Sequence, residues 1–373
     1  MQLLSVTTVL QTIGSVLLAI LILLVMITVH EFGHYLAGKA LKFKINEFAI
    51  GFGPRLYKHT SKKSGEDFSI RLLPLGGFCA FEGEDNGTDG ESENSFNRKK
   101  PWQRIIVLIA GPLFNYALAL LLIIISLFAF GQTVFMVGSV APYQGAGAEE
   151  YIEYSLKEDD YILKVNGKNI FLVTDVMSAL NGKRSGDMVD VRVFRGGKEQ
   201  TVKVKLRTDC DFENTEQAYN AFDALGILKN GEGRYYMSAV NYRFGFFTTI
   251  GHSFLYSFRI AGTIFKVLGE LLTGHLSLSA VGGPVTTIKL TSQLATQSLQ
   301  SFFNIAAYIG VNLAVFNLLP IPALDGSKVI FCLIEWVFRK PVPRRVEAII
   351  HAVGFVLILG FAVLVDILQF VHC

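Results

Sequence analysis

SVLLAILILLVMITVHEFGH, residues 15–34, carries an uncharged apolar run into the first ionisable side chains of the chain. From Leu10 to Val29 the run is long enough to cross the roughly 30 Å hydrocarbon core of a bilayer, which takes about 20 helical residues. His30 and His34 are separated by four positions, so on a helix both imidazoles share a face, with Glu31 beside them. That His-Glu-x-x-His spacing is the one a peptidase uses to hold zinc from a helix. Ionisable groups at membrane depth are costly and tend to be kept for function. The stretch therefore predicts a polytopic α-helical membrane protein with metalloprotease chemistry.

The composition agrees. Of 373 residues, 51% are hydrophobic and only 17% charged, which suits an integral membrane protein better than a soluble enzyme. The length allows two or three domains. Cys79, Cys210, Cys332 and Cys373 form no C-x-x-C pair, so four single thiols are expected rather than a disulfide framework or a zinc knuckle. The N-terminus lacks a basic n-region and its apolar stretch is about twice a typical h-region, so it reads as a retained span and not a cleaved signal. No nucleic-acid partner is expected.

Four spans are predicted, at Leu10 to Val29, Ile105 to Phe130, Phe302 to Leu319 and Val346 to Val365. A fifth stretch, Phe244 to Phe265, is aromatic but carries His252 and Arg259. Lys and Arg are absent before Lys39, then dense from Lys39 to Arg104 and again from Lys328 to Arg345, and absent after Val365. The positive-inside rule makes both basic connections cytoplasmic and both termini external. A fifth span would carry Pro320 to Gly326 to the side opposite His30 and His34. Residues 244–273 are therefore predicted as an amphipathic helix lying on the bilayer surface.

Catalytic zinc usually has three protein ligands and keeps a fourth position for water. With His30 and His34 as metal ligands, Glu31 is left as the catalytic base. The third ligand must come from elsewhere at similar depth. Asp325 qualifies, since it follows the third span just after the helix-breaking Pro320 and Pro322. From the residues alone, Asp325-Gly326 reads equally well as a turn leaving the membrane. His351 and Asp366 in the last span, and His252 and His275 in the external region, are weaker candidates.

HEFGH at 30–34, GFGP at 51–54, LPLGGF at 73–78, AGPLFN at 110–115, GGPV at 282–285 and NLLPIPALDG at 317–326 together resemble the site-2 protease family of intramembrane zinc metalloproteases. The likeness is to the bacterial branch of regulator-of-sigma-E proteases and their single-PDZ relatives, and it extends over nearly the whole chain. It implies zinc on His30, His34 and Asp325, with Glu31 as base, and points to Asn317, Pro320 and Pro322 as holding unwound substrate. It also implies a bacterial cytoplasmic membrane, with the active site near the cytoplasmic side. The substrates implied are single-span membrane proteins, of the anti-sigma-factor or remnant-signal-peptide kind, first cut outside by an upstream site-1-type protease.

The chain then divides into 1–42, the first span with its motif; 43–100, a cytoplasmic-side β-loop and acidic loop; and 101–131, the second span. Residues 132–208 form an external PDZ-like α/β domain, and 209–300 an external linker with the amphipathic helix. The third span with the LDG motif covers 301–326, and 327–373 holds a cytoplasmic loop and the fourth span. Alternating residues and glycines at 43–81 predict a small sheet, whose edge either captures unwound substrate by β-augmentation or is simply covered. Glu82 to Glu93 reads as a solvated loop without EF-hand spacing. Val137 to Val140 and Leu156 to Gly167 resemble a circularly permuted PDZ domain, with Asp159 where the family usually has Gly. That domain either docks and filters substrates or is a rigid cap. The competing function is a non-catalytic membrane adaptor that binds partners through it. A transporter is disfavoured, because no inverted repeat of discontinuous spans is evident.

Overall fold

The computed structural model describes residues 6–84, 92–145, 147–277 and 282–372. Asn86 to Gly90 of the expected acidic loop, and Cys373, lie outside them. In chain order the elements begin with α1 (Val6–Ala40), β1 (Ile45–Thr60), β2 (Asp67–Phe81) and α2 (Pro101–Phe130). Next come β3 (Gln132–Val137), α3 (Ala148–Glu153), β4 (Tyr161–Val165), β5 (Lys168–Asn169), α4 (Val173–Leu180), β6 (Met188–Arg195) and β7 (Lys198–Lys205). The rest are α5 (Ala221–Ala224), β8 (Met237–Tyr242), α6 (Phe246–Leu272), α7 (Pro284–Ala295), α8 (Leu299–Leu318), α9 (Asp325–Phe338) and α10 (Arg344–His372). They form two compact units, one from residues 1–126 with 278–373 and one from 127–277.

Among the described residues four helical segments are long and apolar enough to cross a membrane: Leu10–Ala40, Pro101–Phe130, Leu299–Leu318 and Arg344–Gln369. Their outward side chains are apolar, such as Leu17 on α1 and Leu357 on α10, exposed by 60% and 66%. Exposed apolar surface of that extent on helices of this length fits contact with lipid. The first span runs on past the expected Val29, because Tyr35 to Ala40 contains no proline and the chain turns only at Lys42, whose φ is 58°. At 1.5 Å per residue α1 outruns the bilayer core, so the His-Glu-x-x-His motif lies within the helix and not at its end.

β1 and β2 make an antiparallel hairpin that curls back on itself. Residues 47–50 pair on one side with 77–80 and on the other with 67–70, while 55–60 pair with 67–71. The segment 77–81 is thus an edge. Phe43, Ile45, Phe48, Phe81 and Phe96 bury against Val107 and Leu108 of α2, which docks the base of the hairpin on the helices. Glu47, buried in the sheet, accepts from Ser69 Oγ (2.6 Å), Arg55 Nη2 (2.7 Å) and Arg71 Nη2 (2.9 Å).

The second unit is a sheet of order β7-β6-β4-β3-β8, with β5 paired to β4, closed over by α4 and α5. Its extent corrects the boundary expected at residue 208. Phe222, Leu225 and Ile227 complete the apolar core, and β8 pairs with β3 along its whole length, so 209–242 belong to this domain rather than to a linker. Asp159 takes φ 64°, a left-handed conformation that Asp tolerates, so the chain turns there without Gly. Asp160 beside it is fully buried and accepts twice from Arg195, at 2.6 Å each. In α6 the inward side chains are small and polar in the first half (Thr249, Ser253, Ser257) and apolar further on (Ile260, Ile264), whereas Phe247, Phe258 and Leu272 face outward.

Candidate active site

α1 and α2 touch at two glycines. A Cβ on Gly33 would lie 2.5 Å from the carbonyl oxygen of Ala110, and one on Gly111 would lie 2.3 Å from His34 Nε2 and 2.9 Å from His30 Cε1. Both imidazoles can therefore lie over the backbone of α2. His34 Nδ1 donates to the carbonyl of Val107 at 2.8 Å, which places the ring proton on Nδ1 and turns the Nε2 lone pair inward.

Asp325 reaches the same point from a separate segment. Proline at 320 and 322 ends α8, and the chain turns over 319–324 before Asp325 opens α9. Gly326 permits the turn, because a Cβ there would lie 2.2 Å from the carbonyl oxygen of Leu319. As a result Asp325 Oδ2 is 3.0 Å from His30 Nε2 and 3.4 Å from His34 Nε2, and the two imidazole nitrogens are 3.1 Å apart. Oδ2 is buried and makes no hydrogen bond.

These separations fit a metal. Four ligands at about 2.0–2.1 Å around a tetrahedral zinc are about 3.3–3.4 Å from one another, and two nitrogens with a carboxylate oxygen are its ordinary donor set. Three donor atoms converging without protons between them repel one another unless a cation is shared. Among the described residues this is the one group of three or more His, Cys, Asp or Glu side chains so arranged.

Glu31 lies one residue on from His30 and does not join that triangle. Its Oε2 accepts from the backbone N–H of Cys79 at 3.0 Å, so the hairpin edge holds the carboxylate. Asn115, fully buried on α2, has its side-chain amide 3.5 Å from His30 Nδ1, with its Oδ1 unbonded. With the amide turned so that Oδ1 faces the ring, Oδ1 would accept from His30 Nδ1–H as the Val107 carbonyl accepts from His34. Sequence reasoning singled out no role for Asn115; its place in the AGPLFN stretch, one helical turn past Gly111, was the available signal.

Asn317 lies on the last turn of α8, and Pro320 and Pro322 in the turn before Asp325. The other ionisable candidates are engaged elsewhere. His252 contacts Gln132 Oε1 at 2.8 Å, His275 contacts Thr273 Oγ1 at 2.8 Å, and Asp366 accepts from the N-terminal amide of Val285 in α7 at 3.1 Å. His351 Nδ1 accepts from the amide of Ala323 at 3.0 Å. Cys79, Cys210 and Cys332 are free and buried, and burial pushes the Cys210 thiol up to about 11.

A model of peptidase family M50 matches residues 18–361, through every element that carries these side chains. A Clostridium perfringens protein that carries a zinc-metalloprotease name is 32% identical over 355 residues, covering 94% of this chain and 97% of the relative. One of like name from Fusobacterium nucleatum is 31% identical over 361 residues, again 94% and 97%. The regulator of sigma-W protease RasP of Bacillus subtilis is 28% identical over 423 residues, covering 92% and 94%. With its apolar spans and a buried two-histidine, one-carboxylate cluster, the chain belongs to peptidase family M50, the site-2 proteases, and is a multi-pass membrane zinc metalloendopeptidase.

Proposed function

We propose that this protease cuts single-span membrane proteins inside the bilayer near its cytoplasmic face, with His30, His34 and Asp325 holding zinc and Glu31 acting as base. The observation that carries the reading is the convergence of three donor atoms from two distant segments, with Glu31 beside them. The Lys and Arg content of the 39–104 and 328–345 connections supports a cytoplasmic position for the site and external termini. Bound zinc supplies Lewis-acid polarisation of the scissile carbonyl. Glu31, anchored through Oε2 to the Cys79 amide, takes the proton of the attacking water on Oε1 and returns it to the leaving amine.

A membrane helix is not hydrolysed while its carbonyls are bonded within the helix, so the substrate must unwind. The edge at 77–81 supports a role in capturing the unwound strand, since an added strand there would pass directly by Glu31. Asn317, Pro320 and Pro322 would hold its other side. The unit at 127–277 is assigned as an external PDZ-like domain that screens substrates already trimmed by an upstream site-1-type protease. RasP is named for regulating sigma-W, which supports anti-sigma-factor-like or remnant-signal-peptide substrates in a bacterial cytoplasmic membrane. The outward Phe and Leu of α6 support its lying on the bilayer surface.

The test is Glu31→Gln in the full-length protein. Cleavage of a single-span reporter should fall to background while zinc stays stoichiometric. Wild-type turnover by that variant would remove Glu31 from the mechanism. Accumulation of single-span stubs in membranes from the variant, found by proteomics, would name the substrates.

A further inference from the structure

We infer that His351 is a positioning residue for Asp325, acting from α10 on the backbone turn that aims the carboxylate. The inference rests on Asp325 being a zinc ligand. Ala323, two residues before Asp325, has φ 75°, a left-handed conformation that an L side chain rarely adopts. The turn's own hydrogen bond, from the Leu324 N–H to the Ile321 carbonyl at 3.1 Å, spans Pro322 and Ala323, and a further contact comes from outside it. The Ala323 N–H donates to His351 Nδ1 at 3.0 Å. Because Nδ1 accepts, the proton of the neutral ring is on Nε2, which lies 4.0 Å from Glu347 Oε1 one turn back on α10. Phe331 of α9 packs edge-on against the imidazole, with ring centroids 5.6 Å apart.

α10 meets the turn at a second point. A Cβ on Gly354 would lie 2.2 Å from Pro322 Cβ and 3.0 Å from the Pro322 carbonyl, so the helix backbone rests directly on that proline. Beyond Asp325 the turn is tied to itself, with Ser327 Oγ donating to the Leu324 carbonyl at 2.7 Å. On its open side a cavity of about 400 Å³ borders Ala323, Phe331 and His351, so packing alone does not hold Ala323 there. The imidazole supplies the directional contact from outside the turn, and the three-residue link from Ala323 to Asp325 passes it to the carboxylate.

The experiment measures zinc retention against a competing chelator, and kcat and KM on a single-span reporter, with full-length protein in detergent. His351→Ala should weaken zinc binding about tenfold or more, as loss of a supporting contact behind a metal ligand does, and should lower kcat with little change in KM. His351→Asn, whose Oδ1 sits at the same branch position as Nδ1, should recover most of both. Ala323→Gly removes the left-handed penalty, so adding it to His351→Ala should restore zinc affinity. Zinc retention by His351→Ala equal to wild type would overturn the inference. So would equal impairment of His351→Asn and the double variant. If His351→Ala does not fold, His351→Asn against His351→Leu decides the matter: equal zinc loss in both overturns the inference, and loss in Leu alone supports it. Asp325→Ala separates the two claims. If it keeps zinc, the ligand assignment itself has failed and the inference goes with it. If it loses zinc while His351→Ala does not, only the role of His351 has failed.

Discussion

Gly111 shows how little room the site leaves. Ala is a better helix former than Gly, so by propensity Gly111→Ala should help α2. The added methyl would instead fall 2.3 Å from His34 Nε2 and push the imidazole off its partners. The expected outcome is unchanged helical content by circular dichroism, with a loss of about 10–100-fold in zinc affinity by chelator competition. Full zinc affinity in that variant would mean the imidazole lies elsewhere. His30, Glu31 and His34 were legible in the sequence because their relation is local, set by the helical repeat alone. Asn115 and His351 were not, because each acquires its partner only where two helices or a helix and a turn come together.

At the scale of elements, the hairpin depends on one buried carboxylate. Burial alone would raise the pKa of Glu47, but the hydrogen bonds from Ser69, Arg55 and Arg71 outweigh it and hold the carboxyl below its ordinary range. A folded-state value below the unfolded one adds stability that is present at neutral pH. That stability is lost as pH falls through the ordinary carboxylate range, about 4.3, toward the lowered value. Glu47→Gln should therefore melt lower than wild type at pH 7, and its melting temperature should change less between pH 6 and pH 3. Equal pH dependence in the two proteins would sink this account. Alternation and glycine spacing made a small sheet at 43–81 readable. The double pairing of residues 47–50 was not, since it arises from how the strands curl and not from their pattern.

Over the whole molecule, the chain comprises two compact units, and the three proposed ligands all lie in the one built from residues 1–126 and 278–373. Phe222, fully buried between Phe135 and Tyr235, belongs to the core of the other. Phe222→Ala should cost that unit about 3–5 kcal/mol and open 127–277 to limited proteolysis, while zinc stays bound. Coupled loss of zinc would show that the units do not fold separately. The sequence by itself determined the spans, the metal chemistry and the hairpin, because hydrophobic run length, helical spacing and alternation act between near neighbours. Only the tertiary structure decided that Phe222 and β8 belong to the second unit, that Asp325 Oδ2 comes within 3.4 Å of both histidines, and which groups orient the two imidazoles. Those outcomes depend on packing between segments far apart in sequence. At the His-Glu-x-x-His motif the two meet: two imidazoles one turn apart, completed by a carboxylate almost three hundred residues away.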